Sequence, residues 1–551
     1  GRSPSRPATP YPKDDPMTDF DRRRLLAGLL ATGGGVLAAP HVLAQGTDGL
    51  QRRNLLETMS FVVPPFQLGV ASGDPSSDGF VIWTRLAPEP LERHGGMIMA
   101  PVQVHWEVAE DEAFRTIAAN GTAVAHPELG HSVHVEVAGL RPDRPYWYRF
   151  RCGGERSLAG RSQTLPQAGA RKDRVRFAVA GCQHYEEGHY TAWRRIAEEP
   201  LDFVFHYGDY IYEGRATGPG TRLMNGRPFS PLREHVGQEI YSLDDYRRRY
   251  ALYRSDADLQ AAHAAAPWFV SFDDHEIDNN WADHTDQDGT PPEIFAFRRA
   301  AALQAWYEHM PVRRSSMPVG GTMQMFRRAT FGDLMDAHFL DTRQYRSPLG
   351  NGGRNGPMNA DFLSPERTIL GDRQEAWLHA GLAQGTARWQ LIAQQVMMMQ
   401  LAVEQPGGAP AHYSADQWSG YLHSRERLLD HISGRGLTNV VVVTGDAHRH
   451  FAGDVLRNGG EGPAIASEFL ATSITSGADG IGQDDNYHRA VAGNACLKAM
   501  IDRRGYVLCD VGRDVFRGEL KVLDTVMRPN GQLSTYATLV TERGRPGLQP
   551  A

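Results

Sequence analysis

Six apolar runs in this 551-residue chain end on side chains able to bind metal ions or phosphate. Val175 to Ala180 leads to Cys182, Leu201 to His206 leads to Asp209, and Pro267 to Phe272 leads to Asp273-Asp274-His275-Glu276. Leu334 to Leu340 delivers Asp341 and Arg343, Trp389 to Ala393 delivers Gln394 and Gln395, and Asn439 to Thr444 delivers Asp446 and His448. Taken singly, each is ordinary. A Gly-Asp pair after a strand is usually a turn, a buried cysteine is usually a small hydrophobe, and a lone histidine is often a satisfied structural group. The repetition carries the information: ligands of open α/β sheets gather beyond the carboxyl ends of strands, so one shared site built from distant parts of the chain is expected.

The elements that must position these groups are strands buried on both faces, because their runs are continuously apolar and alternate with amphipathic helical stretches such as Leu243 to Leu259 and Gly371 to Ala383. The expected class is therefore α/β, over residues 175–530, with a C-terminal strand and tail at 531–551. From Phe66 to Phe150 the texture differs. Short alternating segments such as Phe80-Val81-Ile82-Trp83, Val102 to Val108 and Val133 to Val137, separated by Gly, Pro and Asp, predict a small β-sandwich over residues 58–165. The stretch Gly214 to Glu239, with several Gly and Pro residues, reads as a loop over the site. Met397-Met398-Met399 reads as core or pocket lining.

A formal charge of -7, with basic residues scattered through the chain, favours neither nucleic acid nor an anionic membrane as partner. A small anionic substrate remains compatible with it. Near the start, Arg22-Arg23-Arg24, a short apolar stretch from Leu25 to Ala39 interrupted by three glycines, and the small-residue site Val42-Leu43-Ala44 have the form of a twin-arginine signal peptide. That predicts cleavage after Ala44, Met17 as a candidate start with residues 1–16 upstream, the twin-arginine export machinery as a partner, and a periplasmic or secreted protein. No later run is long and apolar enough to suggest a membrane span. Of the four cysteines, Cys496 and Cys509 would close a short loop and could pair in an oxidising compartment, although spacing does not fix the connectivity.

Gly208-Asp209-Tyr210-Ile211-Tyr212, the Asp-Asp-His-Glu block and Gly445-Asp446-Ala447-His448 resemble the GDxxY, GNHE and GHxH blocks of the metallophosphoesterase superfamily. The departures are Asp274 in place of Asn, Asp446 in place of the first His, and Cys182 in a Gly-Cys-Gln context where most relatives have Asp. Those departures match the PhoD-like alkaline phosphatases, as do Gly69 to Pro75, Tyr246 to Leu259, Asp341 to Arg346 and Thr472 to Gly480. The resemblance spans roughly residues 60 to 547. It implies an αββα sandwich of metallophosphoesterase type, preceded by a fibronectin-III-like β-sandwich whose end lies at Leu140-Arg141-Pro142 to Tyr148.

The resemblance also implies a ferric ion, Fe(3+), with calcium, Ca(2+), beside it. Asp209 suits a bridge between metals, since a two-metal site needs a short anionic ligand between ions about 3.5–4 Å apart. Tyr212, Cys182 and Asp446 would make an anion-rich iron pocket, and Asp209, Asp274 and Asn279 would give oxygen donors to calcium. His448 would serve a second metal or orient water, His275 would protonate the leaving group, and Arg343 would either hold phosphate or pair with Asp341. The implied reaction is in-line attack of a metal-bound hydroxide on a phosphate monoester or diester. Two other readings are a phospholipase D-type phosphodiesterase on the same scaffold and a binding protein with a structural metal cluster.

Overall fold

The computed structural model describes Leu56 and residues 59–224, 226–457, 460–483 and 486–551. The export segment expected over residues 1–44 lies outside the described residues. Two large sheets carry the six runs. In the ten-stranded sheet, Arg174–Ala180, Phe203–His206 and Trp268–Val270 lie side by side and parallel. In the seven-stranded sheet, Met335–Phe339, Trp389–Ala393 and Val440–Thr444 do the same.

The sheets face each other across an aromatic core. Phe177, Phe203, Phe205 and Phe269 from one sheet meet Phe339, Leu391, Val443 and Phe469 from the other, with the Phe269 and Phe339 rings stacked at 4.3 Å. Alternate residues of the first sheet, including Ala178, Val204 and Trp268, pack outward against Trp193, Tyr246, Leu259 and Trp306 of the helices Thr191–Ala197, Leu243–Arg254, Ala257–Ala265 and Pro292–His309. Ile392, Val440 and Val442 of the second sheet pack outward against Leu378, Leu428 and Ile432 of Gly371–Gln384 and Leu422–Gly434. The layers therefore run helix, sheet, sheet, helix. Both faces of each strand are covered, which is why the runs lack polar alternation.

The N-terminal segment is two-layered but is not a detached module. Val102–Ala109, Ile117–Ala125, Pro145–Cys152, Glu155–Arg156 and Gly160–Gln163 form a five-stranded sheet. Its core of Val104, Val108, Tyr148 and Phe150 packs against Val70, Phe80, Ile82 and Val133. The strands of this second layer, Val70–Ser76, Gly79–Arg85 and Ser132–Val137, extend the ten-stranded sheet through the parallel pairing of Gly73 with Trp268. Period-two alternation reports which face of a strand is buried, not which edge it pairs with, so the continuity could not be read from it. Gly73 permits the junction, since a Cβ there would lie 2.7 Å from the Trp268 carbonyl oxygen and 2.3 Å from that of Pro311.

The C-terminal segment is likewise integrated. Leu533–Glu542 and Arg545–Pro550 extend the other edge of the ten-stranded sheet, and Leu539 and Leu548 reach the core between the sheets. Within Gly214 to Glu239, Arg222–Met224 and Arg227–Phe229 pair as a hairpin. All four cysteines are free thiols, and Cys496 and Cys509 belong to different cores, one outside the seven-stranded sheet and one between the sheets. Among the described residues, no helix is long and apolar enough to cross a membrane.

Candidate metal centre

The three parallel strand ends of each sheet open onto one place. Cys182, Asp209, Asp446 and His448 all take left-handed backbone conformations, with φ of 50°, 54°, 66° and 55°. Non-glycine residues adopt such angles only where surrounding structure imposes them, and they cluster at functional sites. Tyr207 sits between two of these turns. A Cβ on Gly181 would lie 2.5 Å from its ring and one on Gly445 2.1 Å, while its hydroxyl donates to the Thr472 carbonyl at 3.0 Å. The Gly-Cys and Gly-Asp dipeptides thus follow from the closeness of the two strand ends to one buried ring.

Three side chains converge on one oxygen of Asp209. Asp209 Oδ2 accepts from Cys182 Sγ at 3.2 Å and from the Tyr212 hydroxyl at 2.8 Å, and His448 Nε2 lies 3.9 Å away. His448 Nε2 is also 3.2 Å from the Tyr212 hydroxyl, which in turn is 2.6 Å from Ser476 Oγ. Asp274 is fixed beside them by the N–H groups of His275 at 3.1 Å and Asn280 at 2.8 Å. Three groups with ligand atoms within 4.8 Å of one another adjoin here: Cys182, Asp209 and His448; Asp209, Asp274 and His275; Asp273, Asp274 and Asp446. Asp209 links the first to the second and Asp274 the second to the third, an arrangement with places for more than one cation.

Arg343 lies behind the carboxylates and is completely buried. Its guanidinium is hydrogen-bonded to Asp273, to Asp416 at 2.8 Å and to Asp446 at 3.0 Å, with Asp274 at 3.6 Å. Asp341, the partner considered for it from the sequence, instead accepts the backbone N–H groups of Arg343 and Gln344. The Asn279 side chain also turns elsewhere, donating to Gln287 at 2.7 Å. Gln394 and Gln395 serve the scaffold: Gln394 accepts from the Trp418 indole and Gln395 from Thr342. The three methionines Met397, Met398 and Met399 are core, as expected, and the N–H groups of Met398 and Met399 donate to the buried carboxylate of Glu468.

Two residues of the site, Asp416 and Glu213, carried no strand-end mark in the sequence. Asp416 lies in an irregular segment and joins Arg343 to Arg346, at 2.8 and 2.7 Å. Glu213, one residue past the Gly-Asp-Tyr-Ile-Tyr block, receives His275 Nδ1 at 2.7 Å and the Asn279 N–H at 2.9 Å. Glu276 accepts the N–H groups of Tyr210 and Asp273, tying two of the strand-end turns together. It belongs to the Asp273-Asp274-His275-Glu276 block that ends the third run.

The electrostatics are those of carboxylates short of cations. Burial, then Asp209, Asp446 and Asp273, hold the Cys182 thiol well above its ordinary pKa. Burial and Asp416 push Asp446 up to about 6 against the pull of Arg343. Burial and Asp209 raise Glu276 to about 8. Asp273 is raised well above the carboxylate range, chiefly by burial, and its buried Oδ2 has no hydrogen-bond partner. On His275, burial acts downward but is outweighed by Glu213, Asp209 and Asp274, so the imidazolium persists well above its usual range. A thiol, a phenol, an imidazole and several carboxylates around shared points, with an orphaned carboxylate oxygen behind them, fit hard and borderline cations.

Facing sheets that pool these donors at their strand ends define an α/β protein with a candidate metal centre. The PhoD-like phosphatase family model matches residues 177–520, and the model of the PhoD-like phosphatase N-terminal domain matches residues 52–166. The chain is 43% identical over 532 residues to alkaline phosphatase D of Bacillus subtilis (strain 168), covering 96% of this chain and 89% of that protein. It also superposes on a solved structure described as the structure of PhoD, with a TM-score of 0.86 and 44% identity over 90% of this chain and 93% of the other. The chain belongs to the PhoD-like phosphatase family.

Removing the buried guanidinium should leave its carboxylates unpaired. Arg343→Met is expected to lower the stability of the metal-stripped protein by roughly 3–5 kcal/mol, read from urea unfolding. An unchanged midpoint would show that the cluster does not depend on this cation.

Proposed function

We propose that this chain is an alkaline phosphatase that hydrolyses phosphate monoesters, diesters or both. The observation that carries the reading is the convergence of Cys182, Tyr212 and His448 on Asp209 in a chain of this family. The helix, sheet, sheet, helix layering supports a metallophosphoesterase-type αββα sandwich, and the N-terminal double layer supports a fibronectin-III-like origin. Cys182, Asp209, Tyr212 and Asp446 would hold ferric iron, with calcium at Asp209, Asp274 and His448. When bound, such cations offset phosphoryl charge and make water acidic enough to be a nucleophile.

The chain's own groups do the rest. Arg343, with all its partners carboxylates, holds Asp273, Asp416 and Asp446 in place and is a positioning residue. His275 is the proton donor to the leaving oxygen: Glu213 accepts a hydrogen bond from its Nδ1–H, which leaves Nε2 as the atom that gives up a proton. The Tyr212 ring lies against the imidazole at a centroid distance of 4.2 Å and fixes its plane. Burial works against the imidazolium, and Glu213 favours it over the neutral ring.

Three outcomes are expected. Phenolate and thiolate both give charge-transfer absorption with ferric iron, so the pure protein should be coloured, and Tyr212→Phe and Cys182→Ser should each shift or erase the visible band while depressing turnover. An iron-bearing protein whose spectrum and rate ignore both changes would exclude them as ligands; parallel assays on aryl monoesters and diesters fix the substrate class. Glu213→Gln removes the charge that raises the His275 pKa, so the alkaline limb of the pH–rate profile should move to lower pH and kcat fall about 10–100-fold. A profile that does not move would remove His275 as the acid. Export by the twin-arginine route is part of the same proposal, and changing Arg22 and Arg23 together to lysine should retain precursor in the cytoplasm, whereas normal export would defeat it.

A further inference from the structure

Beside the centre, Glu239, Asp278 and Asp288 each bring a carboxylate oxygen to within 4.8 Å of the others. They come from three places: the end of the stretch that begins after Tyr212 and Glu213, the turn that follows Asp274, and the segment Asp286-Gln287-Asp288-Gly289. Three negative charges here meet one cation. Arg298 gives Nη2 to Glu239 at 2.9 Å and Nη1 to Asp278 Oδ1 at 3.2 Å, and spends its Nε on the Tyr246 hydroxyl at 3.1 Å.

That leaves Asp278 Oδ2, on a side chain 2% exposed, with no hydrogen-bond partner. A desolvated carboxylate oxygen is costly unless a proton or a cation meets it. A proton on Asp278, whose pKa burial lifts to about 8, would satisfy that oxygen but leave Glu239 and Asp288 facing each other. A second cation satisfies all three. Every donor is a carboxylate oxygen, with neither imidazole nor thiolate, which selects a hard ion over zinc or copper. Asp288 is exposed, so an ion can enter and complete its shell with water.

We infer that Glu239, Asp278 and Asp288 form a calcium site separate from the proposed catalytic metals, clasping the stretch that ends at Glu239 to the turn that follows Asp274. The turn is continuous with the centre. The N–H groups of Ile277 and Asp278 both donate to the Asp274 carbonyl at 2.9 Å, and the Asn279 N–H reaches Glu213 at 2.9 Å. An ion at this position braces both segments that deliver the Tyr212, Glu213, Asp274 and His275 side chains. With three carboxylates and an open side, its affinity belongs with the looser extracellular sites, with Kd of about 10⁻⁴–10⁻³ M.

Calcium bound per chain, measured by equilibrium dialysis of the full protein against millimolar calcium chloride, tests the site together with iron content and the calcium-dependent shift in Tm. Asp288→Asn alters an exposed side chain, and Glu239→Gln provides a second variant should the first fold poorly. Each is expected to bind one calcium fewer than the parent, to keep its iron, and to lose most of the calcium-induced rise in Tm. An unchanged calcium count overturns the inference. Loss of iron together with calcium also overturns it, because the count would then report on the catalytic centre. If the centre itself holds no calcium, the parent binds only the one ion and the variants bind none, so failure of the metal assignment above is distinguishable from failure here.

Discussion

Asp209, Asp273, Asp274, Asp416 and Asp446 are crowded into the junction between two sheets; the first three are buried, and the side chains of Asp416 and Asp446 are only 19% and 15% exposed. Two like charges 4 Å apart repel by about 4 kcal/mol at an effective dielectric constant near 20, so such a group cannot persist without opposing charge. Arg343 supplies one positive charge from behind, in contact with four of the five. Burial, reinforced by neighbouring carboxylates, raises the pKa of Asp273, Asp446 and the Cys182 thiol, whereas at Asp274 and Asp416 burial is outweighed by Arg343 and the pKa falls; Oδ2 of Asp273 has no hydrogen-bond partner. The surrounding protein is organised to hold this arrangement of candidate cation ligands.

Rigidity is the means. Four of the converging residues occupy left-handed backbone conformations, which cost of order 1–3 kcal/mol each and survive only when neighbouring packing determines them. The aromatic core between the sheets and the Tyr207 ring wedged at the strand ends provide that determination. Glu276 adds a direct tie between the turns carrying Asp209 and Asp273, so the two segments cannot shift independently without leaving a buried carboxylate bare.

What the sequence disclosed, and what it withheld, divides along physical lines. Strands covered on both faces are continuously apolar, and the first polar residue after each run marks its end, so Cys182, Asp209, Asp274, Asp446 and His448 could be assigned to one site before any coordinates. Asp416 could not, because it arrives on an irregular segment whose path is set by Arg343 and Arg346 rather than by a local pattern. Glu213 and Ser476 sat within or beside recognisable blocks, but their roles depend on where His275 and Tyr212 turn, which is a matter of tertiary packing. Edge pairing was hidden for the same reason: the short apolar segments of the N-terminal region, such as Phe80 to Trp83 and Val133 to Val137, described buried strands and left the neighbouring strand unspecified.

That edge pairing bears on when the protein can form during its synthesis. The strand Arg174–Ala180 has Gly505–Gly512 on one side and Phe203–His206 on the other, and Trp268–Val270 has Val70–Ser76 as its outer neighbour. The middle of the ten-stranded sheet is therefore enclosed by the earliest described strand and by strands from the last tenth of the chain. Nascent polypeptide emerging from the ribosome cannot close this sheet domain by domain, because its inner strands wait for partners not yet translated. Pairings so distant in sequence make for slow folding with strand edges exposed in the interim. For a protein of this architecture, the appearance of Gly505–Gly512 sets the earliest moment at which the sheet can close around Arg174–Ala180.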